Sequence, residues 1–156
     1  MAAKRLHRIG VIGAGECPEE IGRMAEEVGR HIALRGAVLI CGGLGGVMEA
    51  AARGAKQAGG TTVGILPGPN AQEANPHIDI PVVTGMGEAR NLMIVRTAEV
   101  VIAIAGGPGT LSEIAFCLKL GVPVVGIETW EVDPAIHRAG TAEEAVDLAL
   151  RLIDYV

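Results

Sequence analysis

The chain has 156 residues, a formal charge of −5 and an apolar fraction of 49%. That length suits one domain with a proper core, and an acidic balance with no basic cluster argues against nucleic acid as the main partner. Only Phe116, Trp130 and Tyr155 are aromatic, so base-stacking platforms are not expected and the core must be Val, Ile, Leu and Ala.

Taken in chain order, Met1 to Arg8 is basic, but the apolar run after it is too short for a signal peptide or a membrane span. Arg8 to Ile12 reads as a first strand and Gly13-Ala14-Gly15-Glu16-Cys17 as its loop. Pro18 suits a first helical turn, Glu19 and Glu20 favour it through the dipole, and Ile21, Met24, Ala25, Val28 and Ile32 recur at near-helical spacing up to Gly36. Ala37 to Cys41 is a second strand, Gly46 to Ala58 a helix of small residues, and Thr61 to Leu66 a third strand. Residues 67–79 form a polar loop long enough for a lid or a binding loop. Ile80 to Thr84 is a fourth strand, Glu88 to Thr97 a helix, and Glu99 to Ala105 a fifth strand. Thr110 to Leu120 is a helix stopped by Gly121, and Pro123 to Ile127 a sixth strand. Residues 128–140 read as irregular. Thr141 opens a last helix, to Ile153, with the capping box Thr141-Ala142-Glu143-Glu144.

Strands and helices alternate without repeat or linker. The expected fold is therefore α/β: a single Rossmann-like doubly wound domain over residues 1–156, with a mainly parallel six- to seven-stranded sheet and helices on both faces. Strand order 3-2-1-4-5-6 is expected, which brings the glycine-rich loops to one crevice on the carboxyl edge. Cys17, Cys41 and Cys117 show no CxxC spacing, and His7, His31, His77 and His137 are scattered. Reduced thiols, a cytoplasmic location, no metal site and no membrane partner are the expectations.

Two strand–glycine–helix junctions carry the chemistry. Val38 to Cys41 runs into Gly42-Gly43-Leu44-Gly45-Gly46-Val47-Met48, and Val100 to Ile104 runs into Ala105-Gly106-Gly107-Pro108-Gly109-Thr110-Leu111-Ser112-Glu113. Each offers bare backbone N–H groups at a positive helix end, as an anion site, most simply a phosphate site, requires. The first lacks the lysine of a Walker loop, and Gly13-Ala14-Gly15 lacks the third glycine and the acid of a dinucleotide fingerprint. Thr110 and Glu113 have two readings. They form a helix capping box, or they contact a ligand. Arg90 discriminates better: a cation in the first turn of a helix opposes the dipole, and an anionic ligand removes that conflict. An ion pair with Glu16, Glu88 or Glu113 is the alternative. Leu92-Met93-Ile94-Val95 is apolar all round, which predicts a helix covered on two sides, the second side by another subunit.

Gly42 to Met48, Arg90-Asn91-Leu92-Met93 and Gly106 to Glu113 together resemble the Rossmann family often labelled "possible lysine decarboxylase". That family includes the LOG phosphoribohydrolases and the molybdenum cofactor carrier proteins. The resemblance implies a phosphate-bearing nucleotide or pterin-type ligand held by Gly13, Gly15, Gly42, Gly43, Gly45, Gly46, Met48, Arg90, Asn91, Gly106, Gly107, Gly109, Thr110 and Glu113. It also implies a homo-oligomer, dimer or tetramer, with no required cofactor and a nucleoside monophosphate or the molybdenum cofactor as bound molecule. The LOG signature is Pro-Gly-Gly-x-Gly-Thr-x-x-Glu with an upstream Arg-Lys pair. Carried over by match, Glu113 is the catalytic carboxylate of an N-glycosidic hydrolase acting on nucleoside 5′-monophosphates, and Arg90 its partner. Here Ala105 stands for the proline, Asn91 for the lysine and Ser112 for a common second acid, which looks more like the carrier branch. The decarboxylase label fails on chemistry: PLP needs a Schiff-base lysine. Lys4, Lys56 and Lys119 all fall away from the expected crevice.

Overall fold

The computed structural model describes residues 3–154. Among them, seven strands form one wholly parallel sheet: β1 (Arg8–Gly13), β2 (Val38–Cys41), β3 (Thr62–Leu66), β4 (Ile80–Val83), β5 (Val100–Ile104), β6 (Val124–Ile127) and β7 (His137–Arg138). Their spatial order is β4-β3-β2-β1-β5-β6-β7. The chain runs outward from β1 in one direction and, after β4, outward from β5 in the other. The reversal between β1 and β5 opens a crevice at their carboxyl ends. All five residues of β5 are buried, because helices cover both faces of a central parallel strand.

Three helices, α1 (Glu19–Leu34), α2 (Val47–Gln57) and α5 (Ala142–Asp154), cover one face over a core that includes Val28, Ile32, Ala51 and Val146. The other two, α3 (Arg90–Thr97) and α4 (Pro108–Leu120), cover the second face over Ile12, Ile40, Ile94 and Ile114. The core is aliphatic, as the composition requires, and Phe116 and Trp130 stay partly exposed. Helices α1 and α2 approach very closely: a Cβ at Gly29 would overlap the carbonyl of Ala51, and one at Gly54 the carbonyl of Glu26.

Three expectations need correction. The strand at 80–83 does not lie beside β1; it pairs with β3 at the sheet edge. The preceding loop holds only a short 3₁₀ turn, Ala71–Glu73, so no long helix carries the chain across the sheet. Asp79 instead clips the strand start to β3: its N–H donates to the Thr62 carbonyl at 3.1 Å and its carboxylate accepts from the Thr62 N–H at 3.0 Å. Pro81 has no N–H to give and is tolerated at an edge. Next, the second glycine-motif helix starts at Pro108, not Thr110, because proline suits the first helical position. Gly107 is its N-cap and no side chain caps it, so Thr110 and Glu113 form no capping box there. The box at the last helix does form in part: Thr141 Oγ accepts from the Glu144 N–H at 3.2 Å, while the Glu144 carboxylate reaches the Gly140 N–H at 3.0 Å. Finally, residues 128–140 contain β7 and are not wholly irregular. No helix of the described residues is long and apolar enough to cross a membrane, and they hold no group of three or more His, Cys, Asp or Glu able to hold a metal ion.

Candidate functional site

A cavity of about 420 Å³ opens at the switch point, a size that takes a small organic ligand. Loops after β1, β2, β3 and β5 and the start of α3 meet there, because every strand of a parallel sheet ends on the same edge. Of the predicted site residues, Gly13, Gly15, Gly42, Met48, Arg90, Asn91, Gly107, Gly109, Thr110 and Glu113 line it. Ala14, Leu44, Pro67 and Pro108 also line it and carry no role in the sequence reading, and so does Glu88, which the sequence offers only as an ion-pair partner for Arg90. Pro67 carries a readable signal, since it directly follows a predicted strand.

Gly43, Gly45, Gly46 and Gly106 are not among the lining residues, and at each of them packing or backbone conformation favours a bare Cα. Gly43 has φ +77°, and a Cβ there would stand 2.6 Å from Leu66 Cδ2. At Gly45 a Cβ would lie 3.1 Å from the Gly15 carbonyl oxygen. Gly46 has φ +61° and abuts the Ala14 carbonyl, which accepts the Val47 N–H at 3.0 Å. Gly106 has φ +105°, and Thr110 fills the space a side chain would need.

Arg90 occupies the first position of α3, just after the 3₁₀ turn Gly87–Ala89, and is only 8% exposed. Its guanidinium lies against the bare Cα of Gly42: a Cβ there would stand 2.8 Å from Arg90 Nη2 and 2.6 Å from Met48 Sδ. One terminal N–H donates to Asn91 Oδ1, while the buried Nε has no partner. The Asn91 amide in turn reaches Ser112 Oγ at 3.5 Å, and Ser112 donates to the Gly109 carbonyl at 2.6 Å. This chain of contacts ties the start of α3 to the start of α4. No ion pair within 4.0 Å engages Arg90 among the described residues, so the pairing with Glu16, Glu88 or Glu113 is not formed. Burial pulls the Arg90 pKa below the ordinary arginine value, and the charge of Glu113 partly restores it. A buried cation with an idle donor thus lines the same cavity as the start of α4, which no side chain caps.

Glu113 stands one turn further into α4, 6% exposed and without a hydrogen-bond partner among the described residues. Burial pushes its pKa up to about 7, against the opposing charge of Arg90. Cys41 beneath the site is pushed up to about 11, again by burial, and stays a neutral thiol. Not one of the three lysines lines the cavity; Lys56 instead pairs with Asp79 at 2.9 Å.

Two outer segments hold the site in shape. Asn75, from the 67–79 loop, donates through its side-chain amide to the carbonyls of Leu44 at 2.8 Å and Gly43 at 3.3 Å. The loop is thereby pinned to the first glycine junction, and only Pro67 of it reaches the cavity. Beyond β6, Thr129 Oγ donates to the Ala105 carbonyl at 2.6 Å and the Trp130 indole N–H to the Gly107 carbonyl at 3.2 Å. Ala105 has φ +45°, a left-handed conformation closed to proline. The replacement of the LOG-signature proline thus matches the backbone seen here. Gly42→Ala is expected to cost about 1–3 kcal/mol of stability by overpacking against Arg90 and Met48, measured by denaturant unfolding. An unchanged midpoint would show that both side chains swing away freely.

A parallel α/β sheet that turns its glycine junctions and a buried arginine onto one crevice defines a Rossmann-like small-molecule-binding protein. The chain belongs to the SLOG cluster4 family, whose model matches residues 6–151. It is 49% identical over 146 residues to a protein of Archaeoglobus fulgidus, covering 94% of this chain and 96% of that one. Its fold matches the molybdenum cofactor binding protein of Rippkaea orientalis with a TM-score of 0.91 at 38% identity, covering 97% of this chain and 99% of that one. It likewise matches the molybdenum cofactor carrier protein of Chlamydomonas reinhardtii with a TM-score of 0.89 at 38% identity, covering 96% and 99%.

Proposed function

We propose that this protein binds a phosphate-bearing pterin, in the manner of a molybdenum cofactor carrier, or a related nucleotide, at the crevice between β1 and β5. It does so as a cytoplasmic homo-oligomer of one domain. The observation that carries this reading is Arg90: a nearly buried guanidinium with an idle Nε at the wall of a cavity that also receives the uncapped start of α4. An anion there offsets the desolvation of the arginine and accepts the free amides of Gly109 and Thr110. Gly13, Gly15 and Gly42 keep the floor open for the ligand's flat ring, with Met48 and Leu44 as its apolar contacts. Asn91 holds Arg90 in place, and Glu113 accepts a donor of the ligand. When bound, the molybdenum cofactor supplies its own metal–dithiolene chemistry; the protein's part is to hold it and shield it from water.

The second reading is a phosphoribohydrolase, and Glu113 favours it. A buried carboxyl with a pKa near 7, in the same cavity as the anion site, suits proton transfer or stabilisation of a ribosyl cation. One experiment separates the two. The protein is titrated with the molybdenum cofactor and with a panel of nucleoside 5′-monophosphates. The fluorescence of its single tryptophan, Trp130, which is hydrogen-bonded to the α4 cap, reports binding. Free base and ribose 5-phosphate report turnover. Saturable cofactor binding with no base released is the expected result. Base release abolished by Glu113→Gln would establish the hydrolase, and no response to any phosphate-bearing ligand would sink both.

A further inference from the structure

The segment after β6, Glu128 to Trp130, bridges back onto the second glycine junction. Between β5 and α4 stand Ala105, Gly106 and Gly107. The first and last of these give their carbonyls to the bridge: Thr129 Oγ donates to Ala105 at 2.6 Å and Trp130 Nε1 to Gly107 at 3.2 Å. The Ala105 N–H donates to the Ile127 carbonyl at 3.0 Å, so Ala105 is held by both of its backbone groups. Its φ of +45° is a conformation that a residue other than glycine keeps only under restraint. Glu128, on the bridge itself, has φ +51°, so the contact is strained on both sides. Thr129 is seated in turn over the bare Cα of Gly126, where a Cβ would stand 2.7 Å from its Cγ2 methyl. Helix geometry does not call for the tryptophan bond, because the Gly107 carbonyl already accepts the first α4 bond, from the Leu111 N–H at 3.0 Å. Neither Thr129 nor Trp130 lines the cavity, whereas Gly107, Gly109 and Thr110 do.

We propose that Thr129 and Trp130 are positioning residues for the anionic end of the ligand: they hold the Ala105 and Gly107 carbonyls on the bridge side, so that the junction meets the anion with its N–H groups. The proposal rests on the anion-binding reading of the cavity. A trans peptide sets its N–H and C=O on opposite sides, so fixing one fixes the other. Carbonyl oxygens carry partial negative charge, and one turned toward the ligand would repel it where the α4 amides attract it. Gly106 accepts either sign of φ and offers no resistance of its own to such a turn. The orientation is therefore imposed from outside the glycine motif, by residues that the sequence reading leaves in an irregular stretch.

Calorimetric titration of the full chain with inorganic phosphate and with the molybdenum cofactor tests this, alongside urea unfolding of each variant. Thr129→Val keeps the branched shape and removes the hydroxyl. It is expected to weaken binding of both probes by about three- to tenfold, what one hydrogen bond contributes, and Thr129→Ser to restore it. Trp130→Phe, which keeps a ring and loses the N–H, is expected to shift affinity in the same direction. Equal affinity in Thr129→Val and the unaltered chain overturns the proposal. So does a serine variant as weak as the valine one, which would leave the methyl packing on Gly126 as the only role. Trp130→Phe decides the matter if the valine variant folds poorly, and unchanged affinity there overturns the proposal as well. An unaltered chain that binds neither probe overturns the anion-binding reading itself, and the proposal with it, before any variant is made.

Discussion

Arg90→Met is expected to weaken binding of the molybdenum cofactor by about ten- to a hundredfold, the value of a charge-assisted hydrogen bond to an anion, while changing stability by no more than about 1 kcal/mol. The two numbers separate because Arg90 is poorly served in the free protein. Its Nε is buried without a partner, its charge is desolvated, and its one good contact is with the adjacent Asn91. Methionine keeps the apolar stem and loses that single bond, while the orphaned donor disappears. Such a residue serves a ligand more than it serves the fold. Isothermal titration with chemical denaturation of both proteins checks this. A large loss of stability with binding intact would make Arg90 a structural residue.

Glu113→Gln is expected to make the protein more stable at pH 8 by about 2–3 kcal/mol and to leave it unchanged near pH 4. The sign follows from the direction of the shift. The Glu113 carboxyl is raised from 4.5 to about 7 because the charged form is desolvated. Between those values the folded chain holds a proton that the unfolded chain has released, so stability falls as pH climbs from about 4.5 to about 7. Above that the penalty is complete. Glutamine has no charge to bury and removes the pH dependence that comes from this position. Urea unfolding of both proteins at several pH values reads it directly. Parallel curves would mean that the Glu113 carboxyl titrates in the folded chain as it does in the unfolded one. The same penalty bears on the proposed function, because strongly perturbed carboxyls in a cavity cluster at functional sites.

The cavity wall was largely readable along the chain because its signals are local. Gly42, Gly107 and Gly109 stand out at the two junctions and line the cavity, and Arg90 at a helix start conflicts with the dipole within a single turn. Gly43 and Gly106 give the same signal in the sequence, and there Leu66 and Thr110 fill the space that a side chain would need. A glycine in the sequence does not say whether a neighbour fills the space, as at Gly43 and Gly106, or whether it stands open, as at Gly107 and Gly109. The helix capping at Thr110 failed for a similar reason: Pro108 competes for the first turn, and local pattern alone does not rank the two starts.

What the sequence determined by itself was the alternation of elements, the aliphatic core and the two glycine junctions, all set by propensity and periodicity over short windows. Only the tertiary structure decided the place of β4, which depends on Asp79 reaching Thr62 and on the lack of a crossover helix. It alone also decided the strap from Thr129 and Trp130 onto the second junction, which joins positions 24 and 23 residues apart. The burial of Arg90 and Glu113 in one crevice belongs to the same class. Desolvation is a property of the assembled surroundings and not of any window of the chain, so their perturbed charges, and the chemistry that rests on them, appear only when β1 and β5 stand side by side.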